Sequence, residues 1–170
     1  SRTVINGESQ LGVSLANAGR QDEALAIFDR IYPKFETAMS NNYGGRLAAA
    51  VSYGNMLQAQ RRFEPAEKIL QDAIRLADAH MPVGHMSRLN ARATYLVMLQ
   101  AMNRVSEVEP QLKQLLIDQE AASGKYHPLS LTTRNNLVNV LLRLKRDAEA
   151  LQYAESMIEQ SEKIFPEGHT

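Results

Sequence analysis

Apolar residues recur along this chain in paired segments with helical spacing, and a short polar turn separates the two members of each pair. Side chains three and four residues apart lie on one face of an α-helix. In the last pair Lys145 and Arg146 form the turn, and the two apolar stripes are Leu137, Val138, Leu141 and Leu144, then Ala150, Tyr153, Ala154, Met157 and Ile158. Each pair of segments therefore predicts an antiparallel helix hairpin.

The hairpin pattern returns every 42 residues without insertion or deletion. Residues 11–24 reappear in pattern at 53–66, and their apolar and turn positions recur at 95–108 and 137–150. A fixed stride of this kind is typical of solenoid proteins. We predict a single domain over residues 1–170, and because the chain begins at Ser1 we expect it to be a fragment of a longer protein. The predicted repeats are 1–42, 43–84, 85–126 and 127–168.

Individual residues predict where the helices begin, end and approach one another. Pro33 falls inside the second helix of the first repeat and predicts a kink or an early end. Ser106 and Glu109 have the spacing of a capping box, which predicts a helix start in the third repeat. Gly12 and Gly54 occupy matched positions, so we expect two helices to cross closely at each of them.

The positions shared by the repeats resemble the tetratricopeptide repeat, most clearly in the Gly-Arg-x-x-Glu-Ala turn at 19–24. The 42-residue length, the His127-Pro128 start and the Asn135-Asn136-Leu137 run are similar to the repeats of kinesin light chains and their bacterial relatives. The resemblance implies an all-α fold, a right-handed superhelical solenoid of antiparallel helix hairpins with four repeats. It also implies a module that binds a peptide or protein segment in a concave groove lined by the first helix of each repeat.

Mapping the groove positions of that family onto this chain gives a set of mostly amide side chains. An amide both donates and accepts, so a series of them can pair with the N–H and C=O groups of an extended peptide whatever its sequence. The alternative is that these side chains only solvate an exposed helix face. The candidate groove residues are Asn6, Ser9, Asn17, Asn55, Gln58, Asn90, Gln100, Asn135, Asn139 and Arg143.

Composition narrows the classes of partner. Nineteen Lys and Arg residues balance nineteen Asp and Glu residues, so no overall field favours nucleic acid or an anionic membrane as a partner. No apolar run is long enough to cross a bilayer. The chain contains no cysteine, which is compatible with a reducing compartment, and we expect a cytoplasmic location. No catalytic motif is present, so we expect neither an enzyme nor a cofactor.

Two further groups of residues could recognise a ligand. Arg46, Arg88, Arg92 and Arg134 lie near the starts of first helices, where they either converge on an acidic partner or are neutralised by neighbouring acids. The histidines at 80, 85, 127 and 169 could suggest a metal site. However, equivalent positions in neighbouring repeats are about 10 Å apart, whereas zinc–nitrogen bonds measure about 2 Å. We therefore expect these histidines to pack at repeat boundaries.

The last helix has a second apolar stripe, formed by Leu151, Ile158 and Phe165, that a following first helix would cover. Either the parent protein continues, or another copy of the chain covers this face. Self-association or a spacer role is thus one alternative to groove binding. The other is a sensory or regulatory part of a larger signalling enzyme or transcription regulator.

Overall fold

The structure is a computed structural model that describes residues 2–38 and 41–164, with side chains described as far as Ile158 except that of residue 36. The described residues form helices and connecting turns and contain no strand. The first helices of the four hairpins are α1 (Arg2–Asn17), α4 (Tyr43–Ala59), α6 (Met86–Ala101) and α8 (Pro128–Arg143). The second helices are α2 (Gln21–Ile31), α5 (Phe63–His80), α7 (Val105–Ser123) and α9 (Asp147–Ile164). The predicted all-α fold is confirmed.

The chain forms two compact units, an N-terminal unit of residues 1–98 and a C-terminal unit of residues 99–170. In the N-terminal unit α1 packs against α2, α4 packs against α5, and α2 also contacts α4. In the C-terminal unit α8 packs against both α7 and α9. Each unit therefore contains contacts within a hairpin and contacts from a second helix to the first helix that follows it.

The turn inside each hairpin has one backbone design. The second helices begin at residues 21, 63, 105 and 147. Two residues before each of these starts lies a residue with left-handed backbone conformation. These residues are Gly19 with a φ of 80°, Arg61 with 57°, Asn103 with 62° and Lys145 with 59°. A residue with positive φ thus ends each first helix, as in a Schellman motif. The next residue is an arginine in every hairpin, and its N–H bonds to a leucine carbonyl five residues earlier, for example Arg20 to Leu15 at 2.9 Å.

Close helix crossings explain the matched glycines. A Cβ atom at Gly12 would lie 2.7 Å from the Phe28 ring, and one at Gly54 would lie 2.7 Å from Leu70 Cδ2. Phe28 and Leu70 are fully buried, so a larger residue at either glycine would push the two helices of its hairpin apart. The predicted close approach is confirmed at both positions.

Pro33 shortens the first hairpin, as predicted. Helix α2 ends at Ile31, a 3₁₀ turn spans Tyr32–Lys34, and a short helix α3 (Phe35–Ala38) follows. Proline has no N–H to continue the helical hydrogen bonds, and its ring crowds the preceding turn.

The predicted capping box in the third repeat is wrong. Helix α7 begins at Val105 with Arg104 in the N-cap position, so Ser106 lies within the first turn and caps nothing. Glu109 instead pairs with Lys113 at 2.6 Å and with Arg146 at 3.1 Å. The Schellman turn sets the start of the helix here, because it brings the arginine to the cap position in every hairpin.

Candidate functional site

Two adjoining cavities lie along the furrow between α1 and α4 in the N-terminal unit. The smaller has a volume of about 130 Å³ and the larger about 220 Å³. Val13 of α1 and Ser52 of α4 line both, so the cavities adjoin at these residues, and we call the two together the groove. Of the predicted residues, Asn6 and Ser9 line the first cavity, and Asn17 and Asn55 line the second.

The asparagines of this groove have polar groups available to a ligand. Asn6, Asn17 and Asn55 are exposed. Their side chains make no hydrogen bond to any described residue. The nearby Gln21 differs, because its amide nitrogen donates to the Ala16 carbonyl oxygen at 3.2 Å. The free amides can therefore donate to and accept from a segment laid along the groove.

The other six predicted residues do not line these two cavities. Gln58 is half buried, and its Oε1 is buried without a hydrogen-bond partner among the described residues. Asn90 lies exposed on α6. In the C-terminal unit Gln100 is half buried, and Asn135, Asn139 and Arg143 are exposed on α8.

The structure adds groove residues that the sequence mapping missed, chiefly Gln10, Val13, Ala48 and Ser52. The 42-residue stride could have identified them. Positions 10, 52, 94 and 136 are occupied by Gln, Ser, Thr and Asn, which are all polar and all uncharged.

Extending the groove positions of α1 and α4 by that stride defines one face of every first helix, which we call the groove stripe. Within a helix its members are spaced three and four residues apart, and none of them is buried. The groove stripe consists of Thr3, Asn6, Gln10, Val13 and Asn17 on α1; Gly45, Ala48, Ser52, Asn55 and Ala59 on α4; Ser87, Asn90, Thr94, Val97 and Ala101 on α6; and Leu129, Thr132, Asn136, Asn139 and Arg143 on α8.

A second face of the first helices meets the preceding second helix, and its charged and phenolic side chains contact that helix. We call its members Tyr53, Arg88, Arg92, Tyr95 and Arg134 the stacking stripe.

The arginines do not converge on the groove. Arg88 and Arg92 both pair with Asp78, at 2.9 Å and 2.8 Å. Arg134 pairs with Glu120 and is only 3% exposed. The Arg92–Asp78 and Arg134–Glu120 pairs are equivalent, since both of their residues differ by 42 positions. Neutralisation by neighbouring acids, the alternative left open by the sequence, describes these three residues.

Tyr53 and Tyr95 complete the stacking stripe. The Tyr53 hydroxyl donates to Asp29, and burial followed by this hydrogen bond raises the pKa of Tyr53 well above its usual range. The Tyr95 hydroxyl donates to Glu67 at 3.2 Å and accepts from Gln71 at 3.1 Å.

A larger cavity of about 520 Å³ lies elsewhere in the N-terminal unit, next to Pro33 and the first turns of α4. The Asp72–Arg75 ion pair, Arg46 and the aromatic Tyr32 contribute to its lining. Ala50, also in its lining, stands at the position that Arg92 and Arg134 fill in the next two repeats. The cavity is thus a gap at a helix junction, and none of the predicted groove residues lines it.

The boundary histidines act as helix caps. His85 Nδ1 accepts the Ser87 N–H at 3.2 Å, and His127 Nδ1 accepts the Leu129 N–H at 3.3 Å. His80 stacks on Tyr43 with ring centroids 3.6 Å apart. His169 lies outside the described residues. Within the described part of the chain, no three His, Asp or Glu side chains are grouped to bind a metal.

The apolar stripe of α9 is partly visible. Leu151 is 58% exposed and Ile158 is 59% exposed, while Phe165 lies outside the described residues.

Among the described helices, none has a segment with the length and apolar character that crossing a bilayer requires.

Comparisons with known proteins agree with this architecture. Residues 130–170 match the family model for the tetratricopeptide repeat. A search of curated protein sequences finds no match. A crystal structure of a Podosopora anserina protein, described as having nearly identical TPR-like repeats of a kinesin light chain, is similar with a TM-score of 0.86 at 18% identity. That similarity covers 99% of this chain and 80% of the other.

Two further structures share the fold. BtubC (BKLC) from P. vanneervenii has a TM-score of 0.77 at 16% identity, covering 98% of this chain and 66% of that chain. MamA RS-1 has a TM-score of 0.70 at 14% identity, covering 96% and 78%. The resemblance predicted from the sequence, to tetratricopeptide repeats of the kinesin-light-chain-like type, is confirmed.

Proposed function

We propose that this chain, which matches the tetratricopeptide repeat over residues 130–170 and has a fold similar to that of kinesin-light-chain-like repeats, is a binding module that holds a peptide or protein segment against the groove stripe. The fold generally mediates protein–protein interaction, and the proposal assigns that interaction to one face. The chain would act by binding and not by catalysis.

One observation carries the proposal. In the N-terminal unit, residues of two different first helices line the two adjoining cavities of the groove, and the exposed amides of Asn6, Asn17 and Asn55 have no partner among the described residues. Solvation alone would account for exposed amides, but it does not require them to line a concavity. A concave surface with a few polar groups is the usual form of a binding site.

Panning a library of random 12-residue peptides on the immobilised chain tests the proposal. We expect enriched peptides to lose at least tenfold in affinity for the Asn17→Ala, Asn55→Ala double variant, with unchanged helical content. Gln114→Ala with Gln152→Ala, which removes two exposed amides from second helices, is the matched control and should bind normally. Peptides that bind the groove variant as well as the wild type would refute the groove assignment.

The same selection examines the C-terminal unit. Asn135→Ala with Asn139→Ala removes two exposed amides of α8. Loss of capture in this variant would extend the binding surface to α8, and unchanged capture would confine it to the N-terminal unit.

Self-association through α9 is a second candidate, and the exposure of its apolar residues favours it. Leu151 and Ile158 are exposed, whereas the equivalent Leu25 and Leu116 are 8% and 6% exposed. We propose that a second copy covers this face. Sedimentation equilibrium should then show a concentration-dependent mass that Ile158→Glu abolishes, and a strictly monomeric wild-type chain would contradict it.

A further inference from the structure

We infer that the segment held between α1 and α4 carries no charged side chain where it contacts the groove, and that it inserts aliphatic side chains into the two cavities. This inference rests on the proposed function and names the class of partner that the same site would accept.

The distribution of charge along the first helices supports this class. Among the twenty positions of the groove stripe, Arg143 is the only ionisable residue, and it lies in the C-terminal unit. The two cavities of the groove between α1 and α4 have no ionisable residue in their lining. The chain as a whole is 22% charged, so the exposed groove stripe is depleted in charge even though exposed faces usually concentrate it.

An uncharged lining selects against a charged ligand through desolvation. A carboxylate or ammonium group that enters the groove gives up water and finds no opposite charge, which is unfavourable. An uncharged backbone segment instead exchanges hydrogen bonds with water for hydrogen bonds with Asn6, Asn17 and Asn55, which is close to neutral or favourable. Charged segments are therefore rejected and uncharged ones retained.

Cavity size indicates what fills the groove between these hydrogen bonds. At about 130 Å³ and 220 Å³, both cavities are smaller than the roughly 300–1,000 Å³ typical of sites for small molecules and cofactors. Val13, Ala48 and Ala59 contribute short apolar side chains to their walls. The cavities fit single aliphatic side chains of a peptide better than an organic ligand.

Arg143 makes the α8 surface chemically different from the groove between α1 and α4. Its Nη2 donates to Asn103 Oδ1 at 2.5 Å, and an uncharged amide leaves the guanidinium charge uncompensated. Exclusion of charged segments is therefore expected at the groove between α1 and α4 and not at the α8 surface.

The test is a selection from a peptide library that contains acidic, basic and uncharged sequences. The random 12-residue library is panned on the whole chain at 0.15 M NaCl, and labelled copies of the enriched peptides are titrated at 0.05 and 1 M NaCl. We expect an enriched core without Asp, Glu, Lys or Arg, and a Kd that changes less than about twofold between the two salt concentrations.

Charge-introducing variants sharpen the result. Asn55→Lys and, separately, Asn17→Lys should weaken these peptides at least tenfold, while Gln152→Lys on the exposed side of α9 should leave their affinity unchanged. Two separate groove positions are substituted so that the test does not depend on the folding of one variant. Thermal melting monitored by circular dichroism would identify a variant that folds poorly.

The possible outcomes separate this inference from the proposed function. Charged, salt-sensitive peptides that still need Asn17 and Asn55 would overturn the uncharged class and leave groove binding intact. Peptides indifferent to both asparagines, or no enriched peptide at all, would overturn groove binding and this inference together.

Discussion

The groove stripe and the stacking stripe belong to the same helices but differ in chemistry. On α6, for example, Asn90 and Val97 of the groove stripe are exposed and uncharged, while Arg88 and Arg92 of the stacking stripe pair with Asp78 of the preceding helix. Charge on the first helices thus serves mainly to join consecutive helices, and the groove stripe is almost free of it.

The two faces differ because they exclude water to different degrees. Where a first helix meets the preceding helix, an ion pair is partly shielded, and its directional hydrogen bonds favour one relative position of the helices. On an exposed groove the same charges would be well hydrated and would have to lose that hydration whenever a partner bound. The comparison predicts that substitutions on the stacking stripe alter stability, whereas those on the groove stripe alter binding.

The largest expected effect is at Arg134. Its side chain is 3% exposed and pairs with Glu120, whose side chain is 30% exposed, so Arg134→Ala leaves an acid without its partner and empties buried volume. We expect a loss of about 2–3 kcal/mol in the free energy of unfolding, measured by urea denaturation. Arg143→Ala on the groove stripe is the control, with an expected change within about 0.5 kcal/mol. Equal losses in both variants would remove the distinction between the faces.

A smaller effect is expected at Tyr53, whose hydroxyl donates to Asp29. Tyr53→Phe should cost about 1 kcal/mol at pH 7 by removing this hydrogen bond. Tyr126→Phe, at a residue that is 46% exposed, should cost little.

The effect of Tyr53 should also depend on pH. Burial and then Asp29 raise the pKa of Tyr53, so the folded chain keeps the neutral phenol when the unfolded chain has begun to ionise. The stabilisation is complete below the ordinary tyrosine pKa of about 10 and declines as the pH rises above it. The stability difference between wild type and Tyr53→Phe should therefore narrow above about pH 10, and a difference that widened there would contradict this account.

The smallest effect is expected in the turn, which belongs to neither stripe. Lys145 has a φ of 59°, where Gly19 stands in the first hairpin with 80°. Lys145→Gly should relieve the strain of a side chain in the left-handed region and raise stability by about 0.5 kcal/mol, despite the greater freedom of glycine in the unfolded chain. Lys68→Gly, inside α5, should instead lower stability by about 1 kcal/mol. Thermal melting should show a higher Tm than wild type for Lys145→Gly and a lower Tm for Lys68→Gly.

Local patterns predicted most of the helices. Pro33 ended α2 as expected, and Gly12 and Gly54 stand where helices cross closely. The capping box at Ser106 failed because the Schellman turn, with Asn103 in the left-handed conformation, had already set where α7 begins. A local signal for a helix start was overridden by the backbone geometry of the preceding turn.

The candidate site was only partly predictable. Asn6, Ser9, Asn17 and Asn55 line the two cavities between α1 and α4, and their role in binding stays a prediction, while Gln10 and Ser52 were missed. The arginines posed the opposite problem, since their spacing allowed either a ligand site or internal ion pairs. Spacing gives the face of a helix but not what lies opposite that face.

The residue pattern alone was sufficient for helices, hairpins and their stride, because these follow from chain-local spacing and turn chemistry. Packing between helices settled which side chains have partners. Arg92 has Asp78, and Arg134 has Glu120, because residues 14 apart in sequence are brought within hydrogen-bonding distance only when two helices fold against each other. The open groove between α1 and α4 is likewise a property of two packed surfaces, since neither helix alone encloses a cavity.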